Sequence, residues 1–255
     1  MKIWTTMAVA VTAGMLGAGT AKADFKVWLP DVNFGEVAIE TVGDAGFDPH
    51  PDRSGELSQT IEFEYGLTHW WQTELEFERD AGVGQATYFT QITSENLFQF
   101  TQRGEYWIDV GFFAEYGISM KKGDPNEITF GPVLRKDFWG LSNTINLFFE
   151  KDIGHNAMAG MQFPWAWETR VDALTMRFGD HFSVEPGFQY YSQPGQIGHF
   201  SRWNDQDNRI GPQLFGKIFN IGPGTLEWNA GFLVGLTNSV PKFTPRWQFE
   251  YEIHY

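Results

Sequence analysis

The last eleven residues of the chain alternate without a slip. Trp247, Phe249, Tyr251, Ile253 and Tyr255 fall on one side, and Arg246, Gln248, Glu250, Glu252 and His254 on the other. A two-residue period sends successive side chains to opposite faces of a strand, so one face here is aromatic and the other charged. A soluble sandwich can hold one such strand. The pattern also fits a strand with lipid on one side and a polar interior on the other, and the rest of the chain decides between them.

The opening residues point to export. Lys2 precedes an apolar run of small residues over 7–18, and Ala21, Lys22 and Ala23 form an A-x-A cleavage site, so residues 1–23 are expected to be a signal peptide. The run is too short to span a bilayer as a helix, which takes about 20 apolar residues, and no other stretch approaches that length. With Cys 0 there is no thiol for a lipid anchor, a disulfide or nucleophilic chemistry. Against 32 acidic residues stand only 18 basic ones, and loss of Lys2 and Lys22 with the leader deepens the imbalance. Nucleic acid is therefore an unsuitable partner. The chain is 17% aromatic yet has a mean hydropathy of -0.32. An apolar belt around a polar lumen satisfies both facts.

Alternation recurs along the chain. A first strand is expected near 34–42. A hairpin follows, with Leu57, Ile61, Phe63 and Tyr65 outside, Glu62 and Glu64 inside, a turn at 66–70, then Trp71, Leu75 and Phe77 against Glu74, Glu76 and Glu78. A fourth strand within 87–100 has a phase slip near 94–97. Further strands carry Ile108 to Tyr116, Ile128 to Leu134, Ile145 to Phe149, an aromatic ladder of Phe163, Trp165 and Trp167, then Phe182 to Tyr190. After a long loop at 192–208 come Ile210 to Ile218, Leu226 to Leu236 and the terminal strand. The sum is an all-β, antiparallel transmembrane β-barrel of 12 strands over 34–255, preceded by a short periplasmic segment at 24–33. An even count keeps both ends in the periplasm, with tight turns there and longer loops outside. Two features oppose this layout. The 172–181 connection is long for a periplasmic turn, and Pro132, Pro164, Pro186 and Pro212 each remove a ladder donor from a sheet without edges.

The address that follows is the outer membrane of a Gram-negative bacterium, with its lipid and lipopolysaccharide as surroundings. The aromatic end resembles the terminal signal by which such barrels engage their insertion machinery, through Trp247, Phe249, Tyr251, Ile253 and Tyr255. Inside, Glu36, Glu40, Glu62, Glu64, Glu74, Glu76, Glu78, Glu227, Glu250 and Glu252 are expected to form one acidic wall. Arg135, Arg170 and Lys217 form a basic wall opposite it. The competing expectation is that these charges pair and fill the interior. Twelve strands at ~4.8 Å spacing leave a bore of roughly 10 Å, enough for small solutes, and the acidic excess favours cations and neutral molecules. The primary expectation is a passive channel without a cofactor or metal.

A second class is a lipid-modifying enzyme. His199 and Ser201 form an H-x-S resembling the base and nucleophile of outer-membrane phospholipase A, but Arg202 and Trp203 follow where that pattern has Asn-Gly. Asp205, Asp207 and Asn208 in the same loop are candidates for a divalent ion. Finally, the run Tyr65-Gly66-Leu67-Thr68-His69-Trp70-Trp71-Gln72-Thr73-Glu74-Leu75 and the later Gly235-Leu236-Thr237-Asn238 resemble segments of an outer-membrane transporter family named after the meta pathway of phenol degradation. That resemblance implies uptake of small, aromatic solutes and carries no defined binding residues.

Overall fold

The computed structural model describes residues 25–254; the expected leader at 1–23 and Tyr255 lie outside the described residues. Twelve antiparallel strands close into a barrel. They are β1 (Glu36–Ala45), β2 (Leu57–Gly66), β3 (Trp71–Ala81), β4 (Tyr88–Gln99), β5 (Asp109–Ser119) and β6 (Asn126–Phe138). β7 comes in two pieces, Leu141–Leu147 and Phe149–Ile153, as does β8, Trp165–Arg170 and Met176–Phe178. β9 (Phe182–Gln193), β10 (Asp207–Ile221), β11 (Gly224–Gly235) and β12 (Phe243–His254) complete the ring. β12 pairs with β1 from Glu36↔His254 to Asp44↔Arg246, so the alternating terminal strand is the closing seam.

The prolines are absorbed where the ladder opens. Pro132 lies opposite Leu147, where the first half of β7 ends, next to the one-residue gap at Phe148. Opposite Pro186, β8 leaves the sheet for a 3-10 turn at Asp172–Leu174 and rejoins it at Met176, which is why the connection to β9 looked too long in the sequence. The extra residues leave the ladder where β9 lacks a donor. Glycine serves the seam in a different way. At Gly43 an added Cβ would lie 2.5 Å from the Trp247 ring, so the bare backbone of β1 lets that indole lie across it.

Outward positions such as Ile39, Ile61, Phe63 and Leu75 are exposed and apolar, forming the lipid-facing belt. Trp70, Trp71 and Phe98 stack at the turn end as part of an interfacial girdle. At the loop end, Arg53 pairs with Asp48 at 3.4 Å and donates to the Asn238 carbonyl, tying the first loop to the last. The longest loop folds into a small hairpin of Gly195–Gln196 and His199–Phe200, followed by a 3-10 turn at Trp203–Asp205.

Residues 25–33 correct the sequence reading. Expected to lie in the periplasm, this segment runs inside the barrel. It enters at the turn end, where Gly35 donates to the Gly66 carbonyl, and Val32 donates to Gln99 Oε1 at 2.9 Å. Midway, Trp28 exchanges two hydrogen bonds with the Asn146 amide, both 2.9 Å. Near the loop end the Phe25 carbonyl accepts from Tyr191 Oη, and the Arg209 guanidinium lies over the Phe25 ring. Phe25 and Val27 pack with Ala166, Tyr191 and Leu233, and Trp28 packs with Leu97, Phe113, Val133 and Phe148. The physical reason is width: a bore of roughly 10 Å accommodates one extended peptide with its side chains. β4 shows the cost to pattern recognition, because Leu97 faces inward at 3% exposure while Ser94 and Asn96 face outward, with no break in register over those residues.

Gly43→Val should obstruct the Trp247 ring and lower the yield of folded barrel on refolding into detergent, read as loss of the heat-modifiable band on a gel. Thr41→Val, on the same face two residues away and close in volume to the threonine it replaces, should keep it.

Candidate functional site

The lumen wall is where this chain concentrates its charge. Because antiparallel rungs join neighbouring strands, inward glutamates fall opposite one another. One row runs Glu227, Glu250, Glu40, Glu62, Glu76 across β11, β12, β1, β2 and β3. A second runs Glu64, Glu74, Glu95, Glu115 across β2 to β5, and continues through Thr129 to Glu150. Like charges on directly opposed rungs destabilise a sheet, and burial within the wall removes the water that would screen them.

All ten glutamates expected in the acidic wall lie inward: Glu36, Glu40, Glu62, Glu64, Glu74, Glu76 and Glu78 are buried, and Glu227, Glu250 and Glu252 are partly so. The arc extends further than expected. Glu95, Glu115, Glu127 and Glu150 carry it through β4 to β7. Glu95 was obscured by the inward Leu97, whereas Glu115 and Glu150 stood on readable inward positions.

The basic wall is more heavily compensated than a bare opposing wall would be. Arg135 binds Asp31 of the inner segment at 2.6 Å and Asp137 at 3.1 Å. Arg170 pairs with Glu168 at 2.6 Å, and Lys217 pairs across one rung with Glu227 of the acidic arc. Two further arginines line the lumen, Arg209 on β10 of this side and Arg246 on β12, a strand of the acidic arc. Arg246 donates to Gln189, Asn229 and Gln248, and Arg209 pairs with Asp207 at 2.8 Å. The inward phase of β12 already placed Arg246 in the lumen, and Arg209 was hidden by drawing the loop to 208.

At the centre, Glu40, Glu62 and Glu74 bring a carboxylate oxygen each within 4.8 Å of one another. Lys26 of the inner segment fills this trio. Its Nζ lies 2.7 Å from Glu40 and 2.8 Å from Glu74, and bonds Glu62 as well. The lysine is 6% exposed and Glu62 0%, so the pairing occurs away from bulk water. Lys26 Nζ also lies 5.4 Å from the Trp28 ring centroid.

Above the segment, toward the loops, a cavity of about 80 Å³ opens. Trp28, Phe113 and Phe148 line its apolar side, and Glu76, Glu78, Glu115, Glu127 and Glu150 its acidic side. A second cavity of about 60 Å³ lies between Phe25 to Trp28 and the β8–β9 wall. His199 and Ser201, by contrast, are exposed on the loop hairpin, outside the lumen. Asp207 is engaged by Arg209, and Asn208 accepts hydrogen bonds from Tyr190 and Ser192, both at 2.7 Å. Among Asp205, Asp207 and Asn208, two are thus committed to structural pairings.

Among solved structures, the chain is similar to the NanC porin, with a TM-score of 0.53 and 10% identity over 86% of this chain and 100% of that one. It is also similar to the translocator domain of the autotransporter NalP from Neisseria meningitidis, with a TM-score of 0.56 and 9% identity over 86% and 88% of the two chains. At such identity the likeness is one of fold, that of Gram-negative outer-membrane β-barrels. No family model and no curated protein matches the sequence.

Removing one partner of a buried ion pair costs about 3 kcal/mol or more. Lys26→Met should therefore loosen the inner segment within an otherwise folded barrel. The Trp28 and Val32 amides should exchange about a hundredfold faster, the equivalent of that energy, while amides in β1–β3 keep their protection in hydrogen-exchange measurements.

Proposed function

We propose that the chain is an outer-membrane channel for passive uptake of small solutes, with a lumen that favours cations and neutral molecules over simple anions. The observation that carries this reading is the cavity behind the loops, about 80 Å³ in volume, walled by five glutamates and floored by three aromatic rings. A pathway lined by one sign of charge within low-dielectric walls concentrates the opposite sign. The NanC porin fold likeness supports a barrel with a channel; the charge preference is argued from the residues alone.

The resemblance of Tyr65 to Leu75 to transporters named after phenol degradation would add small aromatic solutes to this class. Trp28, Phe113 and Phe148 offer such a ring apolar surface beside the glutamates. Membership in that family rests on the two short segments. The alternative, a lipid-modifying enzyme built on His199 and Ser201, has less support, since both residues stand on the exposed loop. The expected signal peptide at 1–23 and recognition of the terminal strand by the insertion machinery remain part of the proposal.

Reconstituted protein in a planar bilayer should pass potassium in preference to chloride, and swelling of liposomes should fall steeply with solute size. Replacing Glu76 and Glu78 by Gln should shift the reversal potential toward zero selectivity without reducing insertion. A barrel that conducts nothing, or prefers chloride, contradicts the proposal. Ser201→Ala should leave solute flux unchanged; loss of a phospholipid-hydrolysing activity in that variant would instead establish the enzyme.

A further inference from the structure

Lys26 is more than a strut. Its side chain is an alkylammonium, held by Glu40 and Glu74 at 2.7 and 2.8 Å and by Glu62, with an indole ring 5.4 Å away. The inner segment thereby displays the ligand that this part of the wall recognises. A second observation comes from the next rung. Glu95, opposite Glu74, is 1% exposed and has a carboxylate oxygen, Oε2, without a hydrogen-bond partner. One ammonium serves four neighbouring carboxylates, so the wall has capacity for more positive charge than Lys26 supplies.

We propose that Glu40, Glu62 and Glu74, with Glu95 beside them, form an alkylammonium site on the solute path. Lys26 is its built-in occupant, and an incoming alkyl diammonium displaces it. One ammonium of the solute takes the place of Nζ, and the second reaches the capacity at Glu95. A tethered lysine offers only one charge, so a dication of similar reach has the differential affinity needed to shift the segment from its seated to its released state. The acidic cavity above the segment collects such a cation before it arrives. The site thus names a substrate class for the proposed channel and rests on that reading.

The absence of cysteine from the whole chain gives a direct test. Val27→Cys places a single buried thiol one residue from Lys26, and Leu29→Cys serves as a second reporter. The full mature protein is refolded in detergent and labelled with a bulky maleimide, with folding checked by gel mobility. Labelling should be slow, and 1,4-diaminobutane should accelerate it by about tenfold, the change expected for ~1.4 kcal/mol of differential binding. Sodium chloride of equal ionic strength and calcium chloride should not. Glu74→Gln in the same background should label fast and respond little to the diamine. Labelling indifferent to the diamine at both reporter positions overturns the site, and equal acceleration by calcium overturns its assignment to alkylammonium. Current recordings on the same protein separate the two readings. Diamine-dependent labelling in a barrel that carries no current removes the channel and leaves the site, whereas a conducting barrel with indifferent labelling removes the site alone.

Discussion

Carboxylates that face one another across the rungs of a closed sheet have nowhere to go. In an open sheet a strand can slip or fray to separate like charges, but closure through the β12–β1 seam fixes every register at once. Glu250, Glu40 and Glu62 stand on successive rungs, and Glu64, Glu74 and Glu95 on another such row. The wall is therefore dependent on positive charge delivered from elsewhere in the chain. Lys26 delivers it at the centre, Lys217 at Glu227, and Arg246 reaches the row indirectly through Gln248, which donates to Glu40.

This dependence joins architecture to use. A lumen balanced by many fixed arginines would be a structural core. Here the centre of the arc is balanced by one flexible side chain on a segment that belongs to no strand of the barrel. On the opposite side, Arg135, Arg170 and Arg209 are locked by hydrogen bonds to neighbours. The two sides of the lumen thus differ in how readily their charge balance can be changed.

The sequence made the wall legible because a membrane strand must alternate, and the alternation survives in all but a few places. The ten inward glutamates follow from that period alone, as does the seam. Inward apolar residues, which obscured the phase of β4, have one cause. Leu97, Phe113, Val133 and Phe148 are apolar yet face inward, because they pack against Trp28 rather than lipid. Periodicity assumes that the inside is polar throughout, and a segment lying in the lumen breaks that assumption strand by strand. The segment itself left a faint trace. Phe25, Val27 and Trp28 are apolar residues with no place in a lipid-facing strand, beside a lone lysine in an acidic chain. Fold similarity adds the class of barrel, while the inner segment and its lysine come from the side-chain contacts of this chain.

The path of residues 25–33 also bears on assembly. Once the seam is shut, this stretch could reach its seat only by threading end-on past the Asp31–Arg135 and Val32–Gln99 contacts to the level of Tyr191. Wrapping is topologically simpler, with the sheet growing around a strand-like guide. The partners of Lys26 are close along the chain, Glu62 lying 36 residues away and Glu74 48. The inner segment and the first three strands can therefore bring Lys26 together with Glu40, Glu62 and Glu74 before the later strands exist, in keeping with the rapid formation of local contacts. On that view Lys26 acts as a nucleus around which the acidic half of the barrel curls.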